Sequence, residues 1–262
     1  MIRCIAVDLD DTLLRKDLTI STKNQAAIKA AIAAGVKVLL ASGRMFCSMK
    51  PYARELGMDL PLISYNGALI REANSGKELY HQPVPRAETL QVLEMARRTG
   101  IHLNVYLNDT LYMDELTVWG ENYAKVARVT PHPVGDVTKY LEELPHKILA
   151  IGEPERVDWL KTELVHKFGN KLNLVKSKPI FLEILAPGVS KGKSLTELTK
   201  LWGIDQREVM AIGDAPNDLA MIEWAGVGVA IGNADTEVKA SANLVVSDHE
   251  HDGVAEAIER YL

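Results

Sequence analysis

Asp8, Asp10 and Asp11 place three carboxylates within four residues, directly after the apolar run Ile5-Ala6-Val7. Carboxylates this close repel one another and are not packed inside a protein without a cation. On an extended or turning backbone, Asp8 and Asp10 can face one side. That pair suits a hard ion such as Mg²⁺, which takes one or two carboxylates and keeps several waters. A solvated acidic turn is the alternative. A second acidic cluster, Gly213-Asp214-Ala215-Pro216-Asn217-Asp218, follows another apolar run, Val209–Ile212. Asp214 can supply a further metal carboxylate, whereas Asn217 and Asp218 also read as residues opening a helix. Ser42-Gly43-Arg44 follows Val36–Ala41. A hydroxyl and a glycine before a helix make an anion cradle, or an ordinary turn.

Gly192-Lys193-Ser194 imitates the end of a nucleotide-binding P-loop, but the position five before Gly192 is Pro187 and not glycine. The spacing excludes that motif and leaves a lysine pair, Lys191 and Lys193, starting a helix. His249-Glu250-His251 has no third ligand at metal-binding spacing and reads as a polar turn. Gly226, Gly228 and Gly232 miss the dinucleotide spacing and read as sites of close backbone packing. Cys47 lacks the companions of a nucleophile. Trp119, Trp159, Trp202 and Trp224 read as anchors of helix faces.

The elements that must position these groups alternate. Ile2–Leu9, Val36–Ala41 and Leu62–Tyr65 read as strands, with helices over Thr22–Ala34 and before Gly57; Ser21 is the expected N-cap and Gly35 the stop. The last 75 or so residues repeat the pattern with helices at Lys191–Trp202, Asn217–Ala225 and Gly253–Leu262 around strands at Val209–Gly213, Val227–Ile231 and Leu244–Ser247. The middle differs. It predicts hairpins around Asn74-Ser75-Gly76 and Asn108-Asp109-Thr110 and over 172–186, with helices at Arg86–Thr99 and Glu155–Phe168. The expected architecture is α/β: a Rossmann-like parallel-sheet core with helices on both faces, formed by residues 1–83 and 187–262, and an inserted α+β domain over 84–186. A parallel sheet brings all the polar clusters to one edge.

The 262 residues are 47% hydrophobic and 25% charged, the composition of a folded globular protein. Thirty basic against 35 acidic residues leave a net charge of −5, which gives no overall nucleic-acid footprint. No apolar run is long enough for a membrane span, and the opening residues read as no signal peptide. With Cys4 and Cys47 alone there is no disulfide framework. These features predict a reduced, cytoplasmic chain with no nucleic-acid, membrane or obligate protein partner.

Taken together, Asp8-x-Asp10-x-Thr12, Ser42-Gly43-Arg44, Lys191 and Gly213-Asp214-x-x-Asn217-Asp218 resemble the four motifs of the haloacid dehalogenase-like (HAD) phosphatases. Ser64-Tyr65-Asn66-Gly67-Ala68, Ser190-Lys191-Gly192 and Val229-Ala230-Ile231-Gly232-Asn233-Ala234 are similar to the Cof-type subfamily, which carries a large α/β cap of type IIB. The likeness spans the whole chain. It implies a HAD-type core, with 84–186 as a cap controlling substrate access. It further implies a Mg²⁺-dependent phosphoric monoester hydrolase acting on small phosphorylated metabolites, sugar-phosphate-like phosphomonoesters among them. Asp8 would be the nucleophile that becomes an aspartyl-phosphate, and Asp10 the general acid and base. The metal would sit among Asp8, Asp10 (through its backbone carbonyl) and Asp214, with Asp218 behind it. Leu9, Ser42, Gly43, Lys191 and Asn217 would hold phosphate. Thr12 would brace the acid/base loop, Arg44 would support the site, and Asn66 and Gly67 would line the cleft. Glu183 and the His102–Leu107 strand are candidates for substrate selection. Asp11 stands where the family commonly has glycine, and Ala215-Pro216 replaces a more polar pair; no catalytic position is lost. A phosphotransferase or phosphomutase on the same core, and a non-catalytic metabolite-binding regulator, are the alternatives.

Overall fold

Cys4–Val7 forms strand β1, every residue of it buried, as expected of a strand covered on both faces. In the computed structural model, which describes all 262 residues, β1 runs into a tight helical turn at Leu9–Leu13 kinked at Asp11, whose φ is +55°. Helix α1 (Thr22–Ala33) starts where the Ser21 hydroxyl accepts the Asn24 N–H at 3.0 Å. Then come β2 (Lys37–Leu40) and α2 (Phe46–Glu55). Pro51 lies inside α2. Strands β3 (Pro61–Ser64), β4 (Leu69–Glu72) and β5 (Glu78–His81) form a separate three-stranded sheet. The sequence places β3 in the parallel sheet. Instead Ile63 makes one isolated parallel bridge to Ala41, and β3 pairs antiparallel with β4. The turn at Tyr65–Gly67, with positive φ at all three residues, folds the chain back on β3.

The chain divides into two compact units, Met1–Leu79 with Ser190–Leu262, and Tyr80–Val189. The crossings fall a few residues outside 84–186, because the flanking segments bond within the second unit. Gln82 Nε2 donates to the Pro187 carbonyl at 2.8 Å, and Val84 N–H to that of Pro145 at 2.8 Å. The second unit contains α3 (Arg86–Thr99), β6 (His102–Leu107), β7 (Thr110–Met113), α4 (Val118–Ala127), β8 (Pro131–Pro133), β9 (Lys147–Ile151), α5 (Pro154–Phe168), β10 (Asn173–Lys178) and β11 (Phe181–Leu185). Helix α4 is the element its sequence least announces. The six strands run in the order β10-β11-β9-β6-β7-β8, antiparallel except for β7–β8. Leu103, Val105 and Leu107 of β6 join one apolar core with Leu93 of α3 and Leu160 and Leu164 of α5.

The alternate residues of the same strands are polar and equally buried. Lys147, opposite Tyr106 in register, pairs with Glu183 at 2.8 Å, and Ser177 Oγ donates to Glu183 at 2.8 Å. Both charged side chains are nearly inaccessible. Glu183 is thus part of an internal ion pair. His102 likewise bonds within the unit, to Asn104 and Thr117, and burial lowers its pKa.

The chain then continues with α6 (Lys191–Leu201), β12 (Val209–Gly213), α7 (Leu219–Trp224), β13 (Val227–Ala230), α8 (Thr236–Ser241), β14 (Leu244–Val245) and α9 (Gly253–Glu259). The core sheet is wholly parallel, in the order β14-β13-β12-β1-β2. Val7 lies opposite both Leu40 and Ile212, so the carboxyl ends of β1, β2 and β12 are level. The chain leaves β1 toward β2 and later builds outward from β12 on the other side. The crevice of such a sheet opens where that order reverses. Ala255 N–H donates to Asn24 Oδ1 at 2.9 Å, tying α9 to α1. Of the four tryptophans, Trp159 departs from its expected role: 45% of it is exposed.

Removing one member of a buried ion pair leaves an uncompensated charge and costs about 3–5 kcal/mol. Lys147→Met is expected to lower stability by about that amount, and Glu183→Leu added to it to recover most of the loss. Urea unfolding of the three proteins checks this; a single variant as stable as wild type would refute it.

Candidate active site

Lys191, the first residue of α6, has no exposed surface. Its Nζ donates to Asp8 Oδ1 at 2.5 Å and to Asp218 Oδ1 at 2.6 Å. The second oxygen of Asp218 accepts the N–H groups of Asp214 and Ala215 at 3.0 and 3.1 Å. Asp218 therefore shapes the loop after β12 and holds the lysine, with both oxygens engaged. Thr12 Oγ1 donates to Asp214 Oδ1 at 2.7 Å. Thr12 thus braces the second acidic loop from the first, a contact its position in the sequence does not disclose.

Carboxylate oxygens of Asp8, Asp214 and Asp218 all lie within 4.8 Å of one another. Three carboxylates around one ammonium leave an excess of negative charge in a buried place. Burial pushes Asp8 well above the ordinary carboxylate range, opposed by Lys191 and reinforced by Asp218, Asp214 and Asp10. Burial and then Asp218 push Asp214 up to about 8, against the Thr12 hydrogen bond. Lys191 is raised despite its burial, because Asp218 and Asp8 hold it as a cation. Ionising the whole cluster requires more positive charge than the lysine supplies. The oxygen-only donor set fits a hard dication, with Asp8 and Asp214 as the side chains best placed to take it and Asp218 fixing them from behind.

Asp10 stands apart from that group. Its carboxylate is gripped by Arg44, with Nε to Oδ2 at 2.8 Å and Nη2 to Oδ1 at 2.6 Å. The guanidinium is 7% exposed and lies over the Tyr52 ring. An extended backbone would turn Asp8 and Asp10 to the same side; the Arg44 fork instead holds the Asp10 carboxylate outside the group of Asp8, Asp214 and Asp218. Any contact of Asp10 with a metal falls to its backbone carbonyl. Leu9 buries its side chain completely, so only its backbone can face a ligand.

Ser42 follows β2, and its Oγ accepts the Arg44 N–H at 3.2 Å. Gly43 sits so close to Asn66 that a Cβ there would lie 2.9 Å from Asn66 Oδ1. Asn217 Nδ2 donates to that same oxygen at 2.9 Å, joining the loop after β12 to the turn after β3. Asn66 Nδ2 and Asn217 Oδ1 are buried without a protein partner. Orphaned polar atoms of this kind are rare in folded proteins and call for a ligand or water. Gly67 is held through its carbonyl by Ser194 Oγ at 2.6 Å. The remaining candidates are used elsewhere: His249 bonds to Asn233 and His251 to Asp248. Neither Cys4 nor Cys47 is in a disulfide, and burial pushes Cys4 up to about 12.

The family model described as haloacid dehalogenase-like hydrolase matches residues 5–258. The chain belongs to that family. A crystal structure of a haloacid dehalogenase-like hydrolase from Bacteroides thetaiotaomicron superposes with a TM-score of 0.92 at 32% identity, over 100% of both chains. The Escherichia coli pyridoxal phosphate phosphatase YbhA is 30% identical over 270 residues, covering 99% of this chain and 98% of its own. The Bacillus subtilis 5-amino-6-(5-phospho-D-ribitylamino)uracil phosphatase YwtE is 31% identical over 286 residues, covering 99% and 98%. This HAD chain is of the Cof type and is a phosphoric monoester hydrolase.

Two features of this HAD site escape sequence reading: the reach of Arg44 to Asp10 and that of Thr12 to Asp214. Both are long-range contacts between loops, and neither residue type announces its partner. No helix of the structure is long and apolar enough to cross a membrane.

The raised Asp214 pKa has a consequence for the metal-free protein. A carboxyl whose folded pKa lies above its unfolded value of ~3.9 contributes stability that is full below that value. The contribution is lost as pH rises through about 8. In the presence of a chelator, the thermal midpoint is expected to fall between about pH 4 and about pH 8, and Asp214→Asn to flatten that fall. Equal slopes for variant and wild type in melting scans would contradict the assignment.

Proposed function

We propose that the chain is a Mg²⁺-dependent phosphatase of small phosphorylated metabolites, working through an aspartyl-phosphate on Asp8. The observation that carries this reading is the buried cluster of Asp8, Asp214 and Asp218 about Lys191. Phosphatases of similar sequence named for two different small phosphorylated molecules support the substrate class, and we favour sugar-phosphate-like phosphomonoesters within it. Mg²⁺, held by Asp8, Asp214 and the Asp10 carbonyl, would offset the repulsion between an anionic nucleophile and an anionic ester.

Asp8 attacks phosphorus with one carboxylate oxygen, and the bond from phosphorus to the ester oxygen breaks. The Asp10 carboxyl, once protonated and released from the Arg44 fork that engages both its oxygens at rest, gives its proton to the departing alkoxide. The same carboxylate then takes a proton from water, whose oxygen attacks the acyl-phosphate; phosphate leaves and Asp8 is regenerated. One difficult displacement becomes two easier ones. Lys191 adds fixed positive charge against the phosphoryl oxygens. The backbone N–H groups of Leu9 and Gly43, the Ser42 hydroxyl and the Asn66–Asn217 pair complete the anion cradle. The orphaned, buried Asn66 Nδ2 gains an acceptor when an oxyanion binds. We assign residues 84–186 the part of a cap that governs substrate access. Two cysteines outside any disulfide suit a reducing cytoplasm.

Phosphate release from a panel of phosphomonoesters tests the reading. Wild type with Mg²⁺ is expected to be active, EDTA to abolish release, and Asp8→Asn to lower kcat by about 10³-fold or more. Because protons compete for Asp8 and Asp214, Mg²⁺ affinity measured by calorimetry should weaken as pH falls below about 8. Wild type no faster than Asp8→Asn on every ester would sink the proposal, and phosphate appearing on a sugar acceptor instead of in water would favour a phosphotransferase.

A further inference from the structure

The turn Gly232–Asp235 follows β13 and holds none of the residues given a catalytic, metal or phosphate role above, yet it touches both acidic loops. Asn233 Nδ2 donates to the Asp11 carbonyl at 2.7 Å. Two residues on, the Asp235 N–H donates to the Asp214 carbonyl at 2.9 Å. One short turn thus grips the backbone beside Asp10 and the backbone of Asp214, the same two loops that Thr12 joins from the other side.

The chemistry of the partners settles the orientation of the Asn233 amide. The Asp11 carbonyl can only accept, so the amide nitrogen faces it. The other end faces the His249 main-chain N–H at 3.1 Å, which can only donate, so the amide oxygen lies there. His249 Nδ1 is also 2.8 Å from that oxygen and therefore carries a proton. His249 is buried, and its loop is pinned in turn. The Asp248 carboxylate accepts the N–H groups of Glu250 and His251, and Glu250 accepts that of Lys16 at 2.9 Å. A Cβ on Gly232 would lie 2.8 Å from the Asp248 nitrogen, so the turn and the His249 loop are in close backbone contact. Asn233 is exposed as a residue, but its amide is bonded at both ends.

Asp11 is where this grip matters. Its backbone is left-handed, a conformation that aspartate tolerates and does not prefer. The Asn233 amide holds the carbonyl of this turn, one residue after Asp10, and so restrains the loop that carries Asp10. We infer that Asn233, oriented by His249, is a positioning residue that holds the Asp8–Thr12 loop in its working conformation and thereby places the Asp10 acid/base. This inference rests on the function proposed above.

Two measurements on Asn233→Ala, His249→Leu and His249→Asn test it. The first is amide hydrogen exchange of the segment 9–14, which needs no activity. Exchange is expected to be faster in Asn233→Ala and in His249→Leu. His249→Asn, whose amide can return a donor to Asn233, should stay near wild type. Unchanged exchange in Asn233→Ala overturns the inference. The second is kcat/KM on p-nitrophenyl phosphate, whose leaving group needs little protonation, against an alkyl phosphomonoester, whose leaving group needs much. Asn233→Ala is expected to lose about fivefold more on the alkyl ester, with KM nearly unchanged on both. Equal losses on the two esters with a lowered melting temperature would make Asn233 a merely structural residue and overturn the positioning role. Were wild type to release no phosphate from any ester, the proposed function would fail, and the exchange result would still decide whether the turn holds the loop.

Discussion

A lysine with no access to solvent lies between the carboxylates of Asp8 and Asp218, and the surrounding architecture is organised around keeping it there. A buried ammonium is tolerable only when paired, and here two carboxylates share it. A third, Asp214, belongs to the same cluster and has no cation of its own. The imbalance explains why burial drives Asp8 and Asp214 toward their protonated forms. It also explains why the site suits a divalent ion, which would replace those protons and let the carboxylates act as anions.

The sheet makes this concentration of charge possible. Because β1, β2 and β12 are parallel and level, the residues that follow them emerge side by side. The loops are then tied to one another across long stretches of chain. Thr12 reaches Asp214, Arg44 reaches Asp10, Asn217 reaches Asn66, and Asp218 caps the backbone of its own loop. Each link is a hydrogen bond or ion pair of modest individual strength. Together they over-determine loops that contain unfavourable backbone, such as the left-handed Asp11 and Asn66. Strain of this kind persists where the surroundings hold it.

The second unit obeys a different logic. One face of its antiparallel sheet packs against α3 and α5 in an ordinary apolar core. The alternate positions bury Asn104, Tyr106, Lys147 and Glu183. The alternation of β6 is visible in the sequence as His102-Leu103-Asn104-Val105-Tyr106-Leu107. Such a pattern ordinarily signals one wet face, and only the structure shows that the polar side chains are buried, with Lys147 paired to Glu183 and His102 to Asn104.

The local rules of the chain were enough for much of this protein. Apolar runs marked the strands, Ser21 marked a helix start that its hydroxyl indeed caps, and the motifs ending those runs identified the family. These features depend on neighbours in sequence, where spacing and residue type carry the information. Tertiary structure decided the rest. It turned β3 out of the parallel sheet through the left-handed turn at 65–67, and it gave the Asp10 carboxylate to Arg44. It made Asp218, and not the Asp10 side chain, the third member of the acidic cluster. It also drew Asn233 and His249 to the back of the acidic loop. Apart from the local turn that redirects β3, the deciding partner lies tens to hundreds of residues away. No local periodicity encodes which of several donors and acceptors will meet once the strands have aligned.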